Sequence, residues 1–395
     1  MGLVFSKISR WLLNTIFLLL PAQTALHLWP DWAVLNGTRV DYLSPTLFLI
    51  DIFILALLIL WFGQIRKDFL KVSIPVILLF GLLLVLSNVL FSFHPLVTSL
   101  KFIRLLTYAL FGFFAFHNRW EVIASFKKFF LLGIMWLCLL ALVQFGLQRH
   151  LGGPLYLVGE RPLLSAGIAR INLGNLGSIL RPYGTLPHPN ALGGYLVISI
   201  LILFITRPGG YRLVSLLASV VVWLTFSRTA ILSWMFIVWV IIFSKIHISR
   251  RALASLILLG TTVSTILLSI FYPKLSSSDQ YSQRVILNTQ AIEVIKDNIL
   301  FGTGLGTFPF YSLFGHQPVH NILLLIITEL GILTMSFIYS FRINLTQETL
   351  LFIGTVLPVV LFDHYWFTLP QNLLLLTIFF IIYRIKYSHE TKHLL

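Results

Sequence analysis

Long apolar runs separated by short charged turns recur through this chain, and that alternation restricts its fold more than any other feature. About twelve such runs can be marked, at 9–28, 45–64, 72–92, 96–117, 128–148, 189–206, 211–227, 229–245, 252–271, 319–340, 349–366 and 369–385. Each is near the roughly 20 residues that cross a hydrocarbon core. With 58% hydrophobic and 10% charged residues, a soluble chain of this length would have too few polar side chains to cover its surface. The expectation is an all-α polytopic membrane protein of about twelve transmembrane helices, one integral domain over 1–395. Spans of any other kind would leave backbone groups unpaired in lipid. The first run, with Lys7 and Arg10 ahead of it, resembles a signal peptide. It is broken by Pro21, lacks a clear small-x-small cleavage pattern and leads straight into further runs, so it is read as an uncleaved span.

Charge placement orients the spans. With a cytoplasmic N-terminus, 17 of the 28 lysines and arginines fall on the cytoplasmic side, and every cytoplasmic loop carries at least one. This is the positive-inside pattern, and it accounts for the net charge of +15 without nucleic acid. It also places both termini in the cytoplasm and the two long loops, 149–188 and 272–318, outside. The single Cys138 excludes an intramolecular disulfide.

Polar chemistry concentrates at 299–331, where four glycines, two prolines, His316, Gln317, His320 and Asn321 precede an apolar helix, with nine residues between Asn321 and Gly331. His320 stands at the outer end of that span, directly after the Gly/Pro-rich loop, and imidazole is the side chain best suited to take a proton near neutral pH. A lone histidine there could equally be a helix cap or a core residue. His188, His316 and His364 are weaker candidates for the same role.

Several outer cations have no topological reason to exist. Lys101 and Arg104, three apart on one face of the fourth span, must meet a wet cavity or a counter-ion, snorkel to headgroups, or pair with Asp51. Arg181 lies in RPYGTLPHPNALGGYL, where Pro189 and Asn190 can start a helix and Gly193-Gly194 can admit another backbone. Arg228 sits between Ser227 and Thr229 at the tip of two short spans. A guanidinium is a planar, permanent clamp for phosphate or diphosphate, although an arginine in an exposed turn needs no such role. Residues 284–300 place Val285, Ile292, Ile295 and Ile299 at helical spacing, which predicts a surface helix over the site. Arg284 at its start is either a further substrate contact or a solvated side chain, with the solvated reading preferred.

The sequence has no paired DxD, HExxH, cysteine cluster or P-loop, so neither a metal nor nucleotide hydrolysis is indicated, and no cofactor is expected. Abundant outer arginine, few carboxylates and one candidate base suggest an anionic substrate.

Three pieces, RPYGTLPHPNALGGYL, FSRTAIL and ILFGTGLGTF…VHNILLLIITELG, together resemble the O-antigen ligase/polymerase superfamily. They cover roughly the second half of the chain. The third is similar to the ligase signature of a histidine, a small polar residue, nine residues and glycine. Pro187-His188-Pro189 is an unusual sequence within the first piece, at the mouth of the sixth span. The resemblance implies a metal-independent, GT-C-like, inverting glycosyltransferase of the bacterial inner membrane with its active site facing outside. It would transfer a glycan from an undecaprenyl-type polyprenyl-diphosphate donor to a hydroxyl of a glycan, a lipid A core or a protein. By the same resemblance Arg181 and Arg228 would hold the diphosphate and His320 would activate the acceptor. Asn321, Lys101, Arg104, Arg284, Asn190 and Gln317 are the further substrate-binding candidates. The competing expectation is a transporter or flippase of an anionic lipid-linked saccharide.

Overall fold

A computed structural model describes residues 7–63, 76–163, 168–172, 177–243, 278–313, 316–340 and 347–387. The described chain is mostly helical. In order, the helices are α1 (Lys7–Leu18), α2 (Leu49–Phe62), α3 (Val76–Leu90), α4 (Pro95–His117), α5 (Arg119–Leu147), α6 (Pro189–Thr206) and α7 (Tyr211–Leu224). They continue with α8 (Arg228–Phe243), α9 (Ser278–Asp297), α10 (Ile322–Ser340), α11 (Gln347–Phe362), the single turn α12 (Tyr365–Thr368) and α13 (Pro370–Tyr387). By length and composition α4, α5 and α6 can each cross a membrane, and seven shorter apolar helices accompany them. The expected run at 252–271 lies outside the described residues.

Most helices begin and end within a few residues of the apolar runs, and the exceptions have local causes. The first run stops as a helix at Leu18, three residues before Pro21, and continues as strand β1 (Ala25–His27). A further pair, β2 (Val34–Leu35) and β3 (Thr38–Arg39), forms a small hairpin beyond it. Strand β4 (Thr46–Phe48) pairs antiparallel with β1, so the second run enters its helix only at Leu49. A third ladder joins β5 (Arg170–Asn172) to β6 (Ser178–Leu180). Among the described residues the chain is mostly helical, as expected, but short strands interrupt it: β1 and β4 take the end of the first run and the start of the second, and the other hairpins lie in loops. The run expected to reach 366 ends as α11 at Phe362, which leaves Asp363 and His364 in a turn.

Helix α6 is the axis of the bundle. Its residues are apolar on every side, and a helix of that kind belongs inside; 83% of its apolar window is buried. It packs on α7, α8, α11 and α13. Gly193 makes the approach to the α7–α8 turn possible, because a Cβ there would lie 2.7 Å from Ala230 Cβ and 3.0 Å from Thr225 Oγ1. Around this axis α1 packs on α2 and α5, α4 on α13, and α9 on α10. The close approach of α6 to the α7–α8 turn brings Arg181, Asn190 and Thr225 together.

Candidate active site

The site is carried by α10 and by the loop that docks on it. Helix α10 is broken at Gly331, which adopts φ 72° and ψ 171°. A helix break frees carbonyls and N–H groups that must find partners when buried. The glycine-rich loop supplies them: Thr303 N–H donates to Thr328 O (2.9 Å), Gly304 N–H to Glu329 O (3.0 Å), and Ile332 N–H to Ile299 O (2.9 Å). The two backbones lie so close that a Cβ on Gly331 would sit 2.3 Å from Leu300 O, and one on Gly302 2.4 Å from Glu329 O. The buried Glu329 carboxylate accepts from the N–H groups of Gly306 (2.8 Å) and Phe308 (3.2 Å). Asn88 on α3 donates to Phe301 O and Glu329 O and accepts from Leu305 N–H. Glu329 and Gly331 thus fix the loop leading to His320.

At the N-terminus of α10 Asn321 is the cap, its Oδ1 accepting from Leu324 N–H at 3.0 Å. This gives Asn321 a structural task at the start of the helix. His320, one residue earlier, turns Nδ1 toward Asp363 Oδ1 at 3.8 Å; the side chains are 16% and 2% exposed. That separation is too long for a hydrogen bond, so the two form an electrostatic pair, and among the described residues Nδ1 has no hydrogen-bond partner. Asp363 Oδ1 accepts from His364 N–H (2.9 Å), and Oδ2 from Asn190 Nδ2 (3.4 Å). Asn190 Oδ1 in turn accepts from Arg181 (2.6 Å), whose Nε donates to Thr225 O (2.6 Å). A continuous polar chain therefore runs from the end of α7 through Arg181, Asn190 and Asp363 to His320. Arg284 donates to Phe362 O at 3.0 Å, one residue from Asp363, which replaces the solvated position preferred for it.

Electrostatics follow from this packing. Burial alone would raise the Asp363 carboxyl, but facing His320, with His364 and Arg284 nearby, holds it at about 2. His364 is driven down to about 3 by burial and then by the charges of His320 and Arg284. His188, which caps α6 by accepting from Asn190 N–H at 3.1 Å, is lowered to about 4 by burial and then by Arg181. His188 and His364 are thus neutral at physiological pH, beside an ionised Asp363.

Comparison of the chain with known protein families, with curated proteins and with solved structures finds no match. The site's chemistry therefore rests on its own geometry.

Arg228, the first residue of α8, is exposed, and its charge acts on Arg181 across the α7–α8 turn. Lys101 and Arg104 stand elsewhere. Arg104 pairs with Asp51 at 3.5 Å, donates to Thr46 O, and with Lys101 lines a chamber of about 370 Å³. Gln317, His188 and His364 lie on the same lining. Helix α9 forms as expected, but it turns Leu287 and Ala291 inward and leaves Val285 and Ile292 exposed. The apolar spacing there marks its outer face. Asp363 was one of several outer acids in the sequence, and His364 a secondary histidine. The signal that could have raised them is FDHYWF, an acid and a histidine together at the end of an apolar run.

His320, Asp363 and His364 bring one ligand atom each within 4.8 Å of one another. Ligands of a transition metal at 2.0–2.2 Å would have to stand closer. The carboxylate already accepts two hydrogen bonds, and two guanidiniums lie close by. The arrangement suits proton transfer at His320 better than metal ligation: an ionised carboxylate faces Nδ1, stabilises positive charge on the ring and leaves Nε2 to act as the base.

Proposed function

We propose that the protein transfers a glycan from a polyprenyl-diphosphate donor to an acceptor hydroxyl at the outer face of the membrane. The observation that carries this reading is the polar chain Arg181–Asn190–Asp363–His320, which joins an anion-binding guanidinium to a candidate base. Arg181 uses two of its five N–H donors on Thr225 and Asn190, so three can still meet phosphate oxygens. Arg228 adds a second positive charge beside it.

In the proposed reaction Nε2 of His320 takes the proton of the acceptor hydroxyl while that oxygen attacks the anomeric carbon. A new glycosidic C–O bond forms as the bond from the anomeric carbon to the diphosphate breaks. The electron pair leaves with polyprenyl diphosphate, whose growing charge Arg181 and Arg228 stabilise. Asp363 offsets the positive charge acquired by the imidazole. Attack opposite the leaving group inverts the anomeric centre. The outward placement of the site, the twelve-span topology and the bacterial inner membrane belong to this proposal. The positive-inside pattern and the apolar helices support the first two, and the bacterial inner membrane rests on the sequence resemblance alone.

The test uses the purified protein in lipid nanodiscs with a polyprenyl-diphosphate oligosaccharide, following release of free polyprenyl diphosphate. Release should fall by about 10²-fold or more in Arg181→Ala, and less in Arg228→Ala. Product size separates polymerisation from single transfer. Donor that is bound and moved across vesicles without release would instead make the protein a transporter or flippase of the lipid-linked saccharide.

A further inference from the structure

The apolar run that forms α5 ends with two glutamines four residues apart, Gln144 and Gln148. A buried amide is costly unless its donors and its acceptor are met. Gln144 is fully buried, and its polar atoms all have partners. Oε1 accepts from the N–H groups of Tyr183 (3.2 Å) and Gly184 (2.7 Å), and Nε2 donates to Gly184 O (2.9 Å) and Glu160 Oε1 (2.8 Å). Gln148, the left-handed residue that closes α5, accepts from Leu180 N–H at 2.7 Å.

These contacts fall on either side of Arg181. Residues 181–188 lie between β6 and α6 and belong to neither, so their backbone groups must find partners outside regular structure. The two amides supply partners at 180, 183 and 184, and Ala169 O accepts from Arg181 N–H itself at 3.2 Å. Gly184 takes φ 56°, and a Cβ there would lie 2.7 Å from Leu137 Cδ1, so the segment presses directly onto α5. The backbone that carries Arg181 is thereby pinned to the end of a 29-residue helix.

Glu160 decides which way the Gln144 amide faces. It is buried, and its carboxylate accepts from Leu151 N–H (2.9 Å) and Gly152 N–H (2.7 Å). A carboxylate takes a donor as its further partner. Gln144 must therefore turn Nε2 toward Glu160, which leaves Oε1 for the two N–H groups beside Arg181. The opposite orientation would set oxygen against oxygen at Glu160 and N–H against N–H at 183 and 184.

We propose that Gln144, Gln148 and Glu160 are positioning residues, which hold the Arg181 guanidinium where the departing diphosphate needs it. The inference rests on the assignment of Arg181 to the donor. All three act through the backbone around Arg181, not on the substrate. Such an effect can be large, because a displacement of about 1 Å caused far from the chemistry can cost about 10²-fold in rate.

A double-mutant cycle on release of free polyprenyl diphosphate, with the full-length protein in lipid nanodiscs, tests this. Gln148 is the half-buried member of the set, and Gln148→Met keeps its length while removing the acceptor. That change should lower kcat about tenfold with KM little altered. Gln148→Glu, which restores an acceptor, should recover most of the release. In an Arg181→Ala background Gln148→Met should have no further effect, because the side chain it positions is gone. A residue that only supports the fold would act equally in both backgrounds, so equal falls overturn the proposal, as does a wild-type kcat in Gln148→Met. In either case an impaired Arg181→Ala leaves the donor assignment standing. Wild-type release by Arg181→Ala would instead overturn that assignment, and the positioning role with it.

Discussion

Helix α10 carries two differently built regions, its internal break at Gly331 and its N-terminus beside His320. At Gly331 backbone meets backbone: a broken helix is mended by the loop at 299–306, and no side chain fits between them. At His320 side chain meets side chain: Asp363, Asn190 and Arg181 come from three separate segments and touch through charges and hydrogen bonds. The first arrangement fixes where the helix lies. The second sets the ionisation of the groups around the base. A change at Gly331 should therefore act on the whole fold, and a change at Asp363 or Asn190 on local chemistry.

The sharpest way to break this contrast is Gly331→Ala. A Cβ pressed against Leu300 O at positive φ should cost about 2–4 kcal/mol, lowering the melting temperature and reducing donor turnover together. Retained stability would mean that the loop can relax, and that the two regions are less different than described. Asn190→Ala should do the reverse. It cuts the connection between Arg181 and Asp363, so turnover should fall about tenfold to a hundredfold, with a melting temperature close to the wild type.

A third effect concerns pH. His188 and His364 are buried and neutral in the fold, at about 4 and about 3, and the unfolded chain binds their protons at about 6.5. Their contribution is complete above pH 6.5 and is lost as pH falls, with a limiting slope of about 1.4 kcal/mol per pH unit for each histidine. Melting curves from pH 8 to 5 should show it, and His364→Gln should reduce the slope by about one proton. Asp363, held at about 2, acts at lower pH: its contribution is present above about 3.9 and disappears as pH drops toward 2. An unchanged slope in His364→Gln would mean that this ring is already solvated. The smallest effect expected is that of Asn321→Ala, which removes the cap of α10 and should cost about 1 kcal/mol with little change in turnover per folded molecule.

The glycine-rich stretch ahead of α10 was visible in the sequence, but the break at Gly331 was not: the expected span ran unbroken over 319–340, and the partners that fill the break come from residues 299–304. Glycines at 302, 304, 306 and 331 and a fixed spacing from Asn321 mark a backbone that needs open conformations. Helix α6 was equally legible from Pro189, Asn190 and an unbroken apolar run. The Asp363 network was not, because Arg181, His320 and Asp363 are far apart in the chain and only packing around α6 joins them. The short hairpins beside α1 and α2 were hidden by apolar residues that suit a strand as well as a span. Helix α9 shows the converse: a helix forms there, but it ends at Asp297, before Ile299, and spacing alone does not say whether an apolar face turns inward or outward.

The most direct test of the central claim is donor turnover by Asp363→Asn and His320→Ala, each with and without a metal chelator. The expected result is wild-type release unaffected by chelator, a fall of about 10²-fold or more in His320→Ala, and a smaller but clear fall in Asp363→Asn. Full activity in Asp363→Asn would contradict the pairing that defines the site. Activity lost to chelator and restored by a divalent ion would contradict it more deeply, because His320, Asp363 and His364 would then be metal ligands.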